Sequence, residues 1–467
     1  MIEFKNKNIF FSGRGEKIDK DELLKYCIQN EATIIDTFEN ADIIIQGYMT
    51  PNHLEDTFYL LSKDGITIIT IEEIEKEFSK YLDIDSILMA LKISKDKERI
   101  IKLLKNRYFN DDIFIKILKY YDWNNIGLYD DDDNRDVTTS ITQRFCSLIE
   151  SNHNIQYSPI GIYYTALEST NPNLLEIIFN MPPYSISDKN AKKNQPLTLK
   201  EVVALNPNTP KPVLMQIYKN NNFEELKFLA LNKSLPKMLI SKLYDLNNQQ
   251  ILTNLIIGDN IETKRIDSII QDTNLKSTFL KFITLTDEIF EKIISSSLTK
   301  LDYFSLSLNN TLTTAQIEKL FEKNIDNVNI NLLKNENCPL KKIEEFLLLK
   351  DKIYNITIAH NNNLTEELYQ KLFSLDDFDV DLSLCFNHAT PPSIIQKLYN
   401  KQNDSFNEAI SQNQNTPINI LMQLQIDSRY HSGVSNNETY KEFSRNSLGI
   451  IQDNNNKFKR NTYMDTI

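Results

Sequence analysis

The chain has 467 residues, 41% of them hydrophobic and 25% charged, and a formal charge of −12. That length predicts more than one domain or one long array, with an ordinary globular balance of residues. The acidic excess opposes non-specific binding to nucleic acid, whose affinity comes mainly from phosphate neutralisation, and no apolar run approaches the roughly 18 residues that span a membrane.

The start, "MIEFKNKNIFF", lacks the apolar segment and small-residue cleavage site of an export signal, so a cytoplasmic location is expected. Cys27, Cys146, Cys338 and Cys385 are far apart and read as buried small apolar residues rather than a disulfide framework or a zinc site. The five histidines are equally scattered, with no H-E-x-x-H. There is no P-loop, nucleophile elbow or dinucleotide fingerprint. No catalytic residue, metal or cofactor is therefore assigned, and the chain reads as a non-enzyme.

Residues 1–82 come first. "NIFFSG" predicts a strand ending at Ser12-Gly13. "DKDELLKYCIQN" has Leu23, Leu24, Cys27 and Ile28 at helical spacing. "TIIDT" and "ADIIIQG" are β-branched strands. "HLEDTFYLLSKDG" is a helix stopped at Gly65 with Lys63 in its last turn. "ITIIT" is a fourth strand, and "IEEIEKEFSKYL" a closing helix with acids at its start, where the helix dipole favours them. The strands are short and nearly continuous in apolar character, so helices should cover the sheet.

This β-α-β-β-α-β-α order, with "FSG", the Gly65-Ile66 turn and the acidic closing helix, resembles a BRCT domain. The resemblance implies recognition of phosphopeptides or DNA ends, through a Ser or Thr ending the first strand, the Gly after it, and a Lys in the second helix. Ser12 and Gly13 match the first two. The Lys position falls near Thr57, beside Glu55 and Asp56, which would repel a phosphate. Arg14 could substitute by a bidentate contact. Glu31-Ala32 replaces the usual Gly-Gly turn, and Ile74 the usual aromatic of the last helix. Residues 1–82 carry nine Lys/Arg against sixteen Asp/Glu, a poor electrostatic trap for DNA.

Residues 83–160 predict amphipathic helices, in "SILMALKISKDKERIIKLLKN" and "DDIFIKILKYYDW", as a linker or N-terminal cap. "GLYDDDDNRDVTTS", residues 127–140, lacks the alternating ligands and closing Glu of a calcium loop and is expected to be a solvated acidic loop.

From 161 to 426 one phrase returns. "ALNPNTPKPVLMQIY" (204–218) is echoed by "CFNHATPPSIIQKLY" (385–399). Asn206 and Asn232 are 26 apart, with Gly258 one step further, and Asn309, Asn335, Asn361, Asn387 and Asn413 hold the same step. A fixed period of this length predicts a solenoid of stacked helix pairs. The asparagines are expected to end helices in the left-handed conformation. The Thr-Pro pairs at Thr209, Thr390 and Thr416 are expected to place a capping hydroxyl before a first-turn Pro. The phrase resembles the leucine-rich repeat variant family, with a slightly longer step. That resemblance implies a right-handed superhelix and an interaction surface. Residues 427–467 are polar and predict a cap or tail.

The expected fold is α+β: a small α/β domain followed by a large all-α array. The expected function is a scaffold or adaptor with two docking surfaces for protein or peptide partners. The alternative is a DNA-repair or DNA-end-binding factor, disfavoured by charge. No membrane partner is expected.

Overall fold

A computed structural model describes residues 2–124, 127–150, 152–186 and 195–447. The architecture is α+β, with a small parallel sheet at the N-terminus and a large helical remainder. The chain forms two compact units, which meet in sequence inside the helix Lys237–Asp245.

The first unit opens with β1 (Asn8–Ser12), α1 (Lys20–Gln29), β2 (Thr33–Ile34), β3 (Ile43–Gln46), α2 (Asn52–Lys63), β4 (Thr67–Thr70) and α3 (Ile71–Tyr81). The sheet order is β2-β1-β3-β4, all parallel, with Ile9 opposite Ile43 and Ile43 opposite Thr67. Side chains alternate across a strand. Ile9, Phe11, Ile43, Ile45 and Ile69 therefore pack on Leu23, Tyr26 and Cys27 of α1 and Ile74 of α3. Phe10, Ile44 and Ile68 pack on Phe58 of α2. Helices on both faces explain why these strands read as continuous apolar runs.

One buried charge fixes the connection between β1 and α1. Glu75 of α3 is 1% exposed. Its Oε1 accepts the backbone N–H groups of Glu16, Lys17 and Ile18 at 2.9, 2.6 and 3.0 Å. Three successive amides around one carboxylate form an anion-binding concavity that the chain fills for itself.

The next stretch is helical at Ile84–Ser94, Lys97–Leu104, Asp111–Leu118 and Asp132–Phe145. The first of these ends at Lys95, where φ is +51°, and Asp96 caps the next one. The acidic loop expected at 127–140 is corrected. From Asp132 it is helix, with Val137 and Ile141 buried. The Asp131 carboxylate accepts the Asn134 amide. Lys97 pairs with Asp133 at 2.9 Å and Lys105 with Asp136 at 2.7 Å. Acids suit a helix N-terminus, and these cations come from some thirty residues upstream.

Short helices fill the rest of the first unit, including Pro159–Glu168, Leu199–Leu205, Lys211–Asn220 and Phe223–Leu231. The second unit is helical as far as Glu438–Ser447. The stretch from 427, expected as a cap or tail, holds the helices His431–Asn436 and Glu438–Ser447. The "DNNNKFKRN" stretch and residues 187–194 lie outside the described residues. No helix among the described residues is long and apolar enough to cross a membrane.

All four cysteines are free and buried. Burial pushes the thiols of Cys27, Cys338 and Cys385 up to about 12 and raises that of Cys146. A thiol alkylates as its thiolate. We expect iodoacetamide at pH 8 to leave the native chain unmodified over minutes and to label four thiols in urea. Rapid native labelling, read by intact mass, contradicts this packing.

Candidate functional site

Ser12, Gly13 and Arg14 lie where β1 leaves the sheet, against the turn that follows β3. The two turns are zipped together. The Gly47 N–H donates to the Ser12 carbonyl at 2.9 Å. Arg14 N–H donates to the Tyr48 carbonyl at 2.9 Å, and Tyr48 N–H to the Arg14 carbonyl at 2.7 Å. Ser12 is buried, whereas Gly13 and Arg14 are exposed. The Arg14 guanidinium lies over the Tyr48 ring, 5.3 Å from its centroid. The fold adds a cation that the linear reading missed. Lys20, the first residue of α1, donates to the Phe11 carbonyl at 3.1 Å and lies 5.0 Å from the Phe11 ring centroid. Nothing in the sequence marks that reach across nine residues.

The second-helix position contributes no cation. The Thr57 hydroxyl returns to the His53 carbonyl at 2.9 Å, and Glu55 and Asp56 are exposed. Lys63 lies over the Tyr59 ring at 4.4 Å.

Gly13 is set by geometry. Its φ is +75°, and a Cβ there would sit 2.6 Å from the Tyr48 carbonyl oxygen. Left-handed strain and overpacking act together. Gly13→Ala should destabilise the first unit by roughly 2–4 kcal/mol. Urea unfolding within about 0.5 kcal/mol of the parent, the range of a neutral surface change, would show that the turn is not close-packed.

The recurring asparagines sit at the ends of helices, but not as expected. Asn206, Asn232, Asn335, Asn387 and Asn413 are extended, with φ between −67° and −75°, and not left-handed. Gly258 is right-handed, and the positive φ belongs to Asp259. The reason is hydrogen bonding by the side chain.

In the first unit, the Asn206 amide donates to the carbonyls of Ala166 and Ser169, and Asn232 to those of Ala204 and Asn206. In the second, Asn309 donates to Leu280 and Ile283, and Asn335 reaches the carbonyl of Asn309. Asn361 donates to Leu333 and Asn335, Asn387 to Ala359 and Asn361, and Asn413 to Cys385 and Asn387. Asn437 continues the row onto Ser411 and Asn413. Each side-chain oxygen accepts the amide two residues on, as at Asn208, Ser234, Thr311, Asn337, Asn363, Ala389, Asn415 and Thr439. One side chain thus satisfies orphan carbonyls of an earlier helix end and an amide of its own turn.

The Thr-Pro reading is corrected as well. The hydroxyls of Thr209, Thr390 and Thr416 donate backwards to the carbonyls of Val203, Leu384 and Ile410. The residue after each, Pro210, Pro391 or Pro417, is the one that precedes the helix. Where that Pro is absent, Thr286 and Thr365 cap the following helix by their hydroxyls. The left-handed positions lie at the other helix ends: Asn221, Asn247, Asn324, Lys350, Asp376 and Gln402. The residue after most of them caps the next helix, as at Asn222, Asn248, Asp351, Asp377 and Asn403. This second 26-residue rhythm is visible in the sequence as an Asn or Asp after a polar residue, and was missed there.

No protein-family model, curated protein or solved structure matches this chain.

Proposed function

We propose that the chain is a non-enzymatic scaffold, with a BRCT-like domain at residues 1–82 and a helical repeat array beyond, each offering a docking surface. The row of buried asparagines carries the reading of the helical part. It commits the recurring residues to holding helices together and leaves the exposed positions free to vary. Large apolar side chains on the exposed corners of the second unit support it: Leu348, Leu349, Ile353 and Phe378 are 49–79% exposed. The parallel order β2-β1-β3-β4, with α1 and α3 on one face and α2 on the other, supports the reading of residues 1–82.

The test is reconstitution. Partners that co-purify in stoichiometric amount with the full chain are purified and titrated against it. Ile353→Glu and Arg14→Glu, on different surfaces, should each abolish binding of a different partner and leave the melting temperature unchanged. Salt-dependent DNA binding lost on Arg14→Glu would favour the DNA-end reading instead. A turnover abolished by one substitution would overturn the scaffold.

A further inference from the structure

One cavity of the first unit combines an apolar wall with a carboxylate that lacks a full set of partners. It encloses about 320 Å³. Met181, Pro182, Pro183 and Tyr184 supply apolar lining, and Lys200, Glu201 and Glu225 charged lining. The wall is fixed by backbone pairing. Leu199 N–H donates to the Tyr184 carbonyl at 3.2 Å, and Ile186 N–H to the Leu197 carbonyl at 2.8 Å.

The two carboxylates differ. Glu201 is occupied, its Oε2 accepting the amides of Leu197 and Thr198 in a capping box. Glu225 stands in the first turn of Phe223–Leu231 and is 7% exposed. Among the described residues its Oε2 has no hydrogen-bond partner. Burial raises its pKa and the Glu201 charge adds to that, while Lys200 and the Asn220 amide oppose it. A buried carboxylate with an unused oxygen is costly unless a cation or donor reaches it.

The geometry points to a site for an alkylguanidinium or alkylammonium group, its apolar stem along Met181–Tyr184 and its charged head at Glu225. Long cationic side chains match such a pocket because they bury the stem and keep the head on an acceptor. A planar guanidinium also stacks on a tyrosine face. This deepens the scaffold reading, on which it rests, by giving one docking surface a preference for an arginine or lysine. A free polyamine-like cation offers the same chemistry.

Calorimetric titration of the full chain tests it with three probes: agmatine, the blocked tripeptide Gly-Arg-Gly, and Gly-norleucine-Gly as the neutral control. Agmatine should bind saturably at one site. Glu225→Gln should weaken it at least about tenfold, as loss of a charge-assisted hydrogen bond requires. Lys200→Met, which removes the competing cation, should tighten it. That opposite change is one that simple misfolding would not produce. If the arginine tripeptide binds as well, the source is a protein partner. If only agmatine binds, the source is a small free cation. The proposal is overturned if agmatine does not bind, if the norleucine peptide binds equally well, or if Glu225→Gln leaves affinity unchanged. Those results would leave the scaffold reading standing, since its reconstitution test uses other surfaces.

Discussion

Asn361→Leu should lower the stability of the second unit by roughly 3–6 kcal/mol. Asn361 is fully buried. Its amide donates to the carbonyls of Leu333 and Asn335 at 2.8 and 3.0 Å, and its oxygen accepts the Asn363 amide at 2.7 Å. Leucine fills the same space and leaves three polar groups unpaired, one buried and two part-buried, each worth about 1–3 kcal/mol. The neighbouring Asn362 is exposed, with one contact to Glu336. Asn362→Ala should therefore stay within about 0.5 kcal/mol of the parent. Asn361→Asp separates shape from donor capacity. At pH 7 its carboxylate would face two carbonyls, and the loss should match that of leucine. The neutral acid can donate, so the folded-state pKa of this Asp lies above its unfolded value of about 3.9. The recovered stability is then fully present below about pH 4 and lost as pH rises through the folded value. Urea unfolding of the three variants at pH 7 and pH 4 checks the set, and an Asn361→Leu midpoint equal to that of Asn362→Ala contradicts it.

Glu75→Leu should cost the first unit roughly 3–5 kcal/mol. It strands the amides of Glu16, Lys17 and Ile18, now within 3.0 Å of one buried carboxylate oxygen. Glu75→Gln keeps an acceptor and loses only its charge. It should cost nearer 1 kcal/mol, since charge-assisted hydrogen bonds are about twice as strong as neutral ones. The loop from Gly13 to Asp19 should become the first site of proteolysis in Glu75→Leu. Equal stability of the two variants would mean that the carboxylate merely occupies space.

Much of this fold was legible in the sequence, because hydrophobic period and turn residues are local. Ile43–Gln46, Thr67–Thr70 and the helix stop near Gly65 fall where β-branched runs and punctuation put them. The 26-residue step of the asparagines could be read directly, but their role could not. Asn serves both as a left-handed terminator and as a side-chain donor, and the choice depends on carbonyls 26 to 28 residues upstream. The aspartates at 131–136 misled for the same reason. Their partners Lys97 and Lys105 are distant in sequence, so a helix N-terminus looked like a solvated loop. Glu75 and Glu225 gave no local signal at all. One is defined by a turn nearly sixty residues away, the other by a cavity that exists only after folding.

The central claim is that the recurring asparagines fasten neighbouring helix ends and do not face a ligand. Native-state hydrogen exchange at Asn363, Ala389 and Asn415 tests it most directly. These amides lie in turns, where exchange is normally fast, but each is bonded to a buried asparagine oxygen. They should open only with the surrounding helices, as slowly as core amides do. Exchange at the rate of an unprotected turn would mean that the row does not hold these helices together.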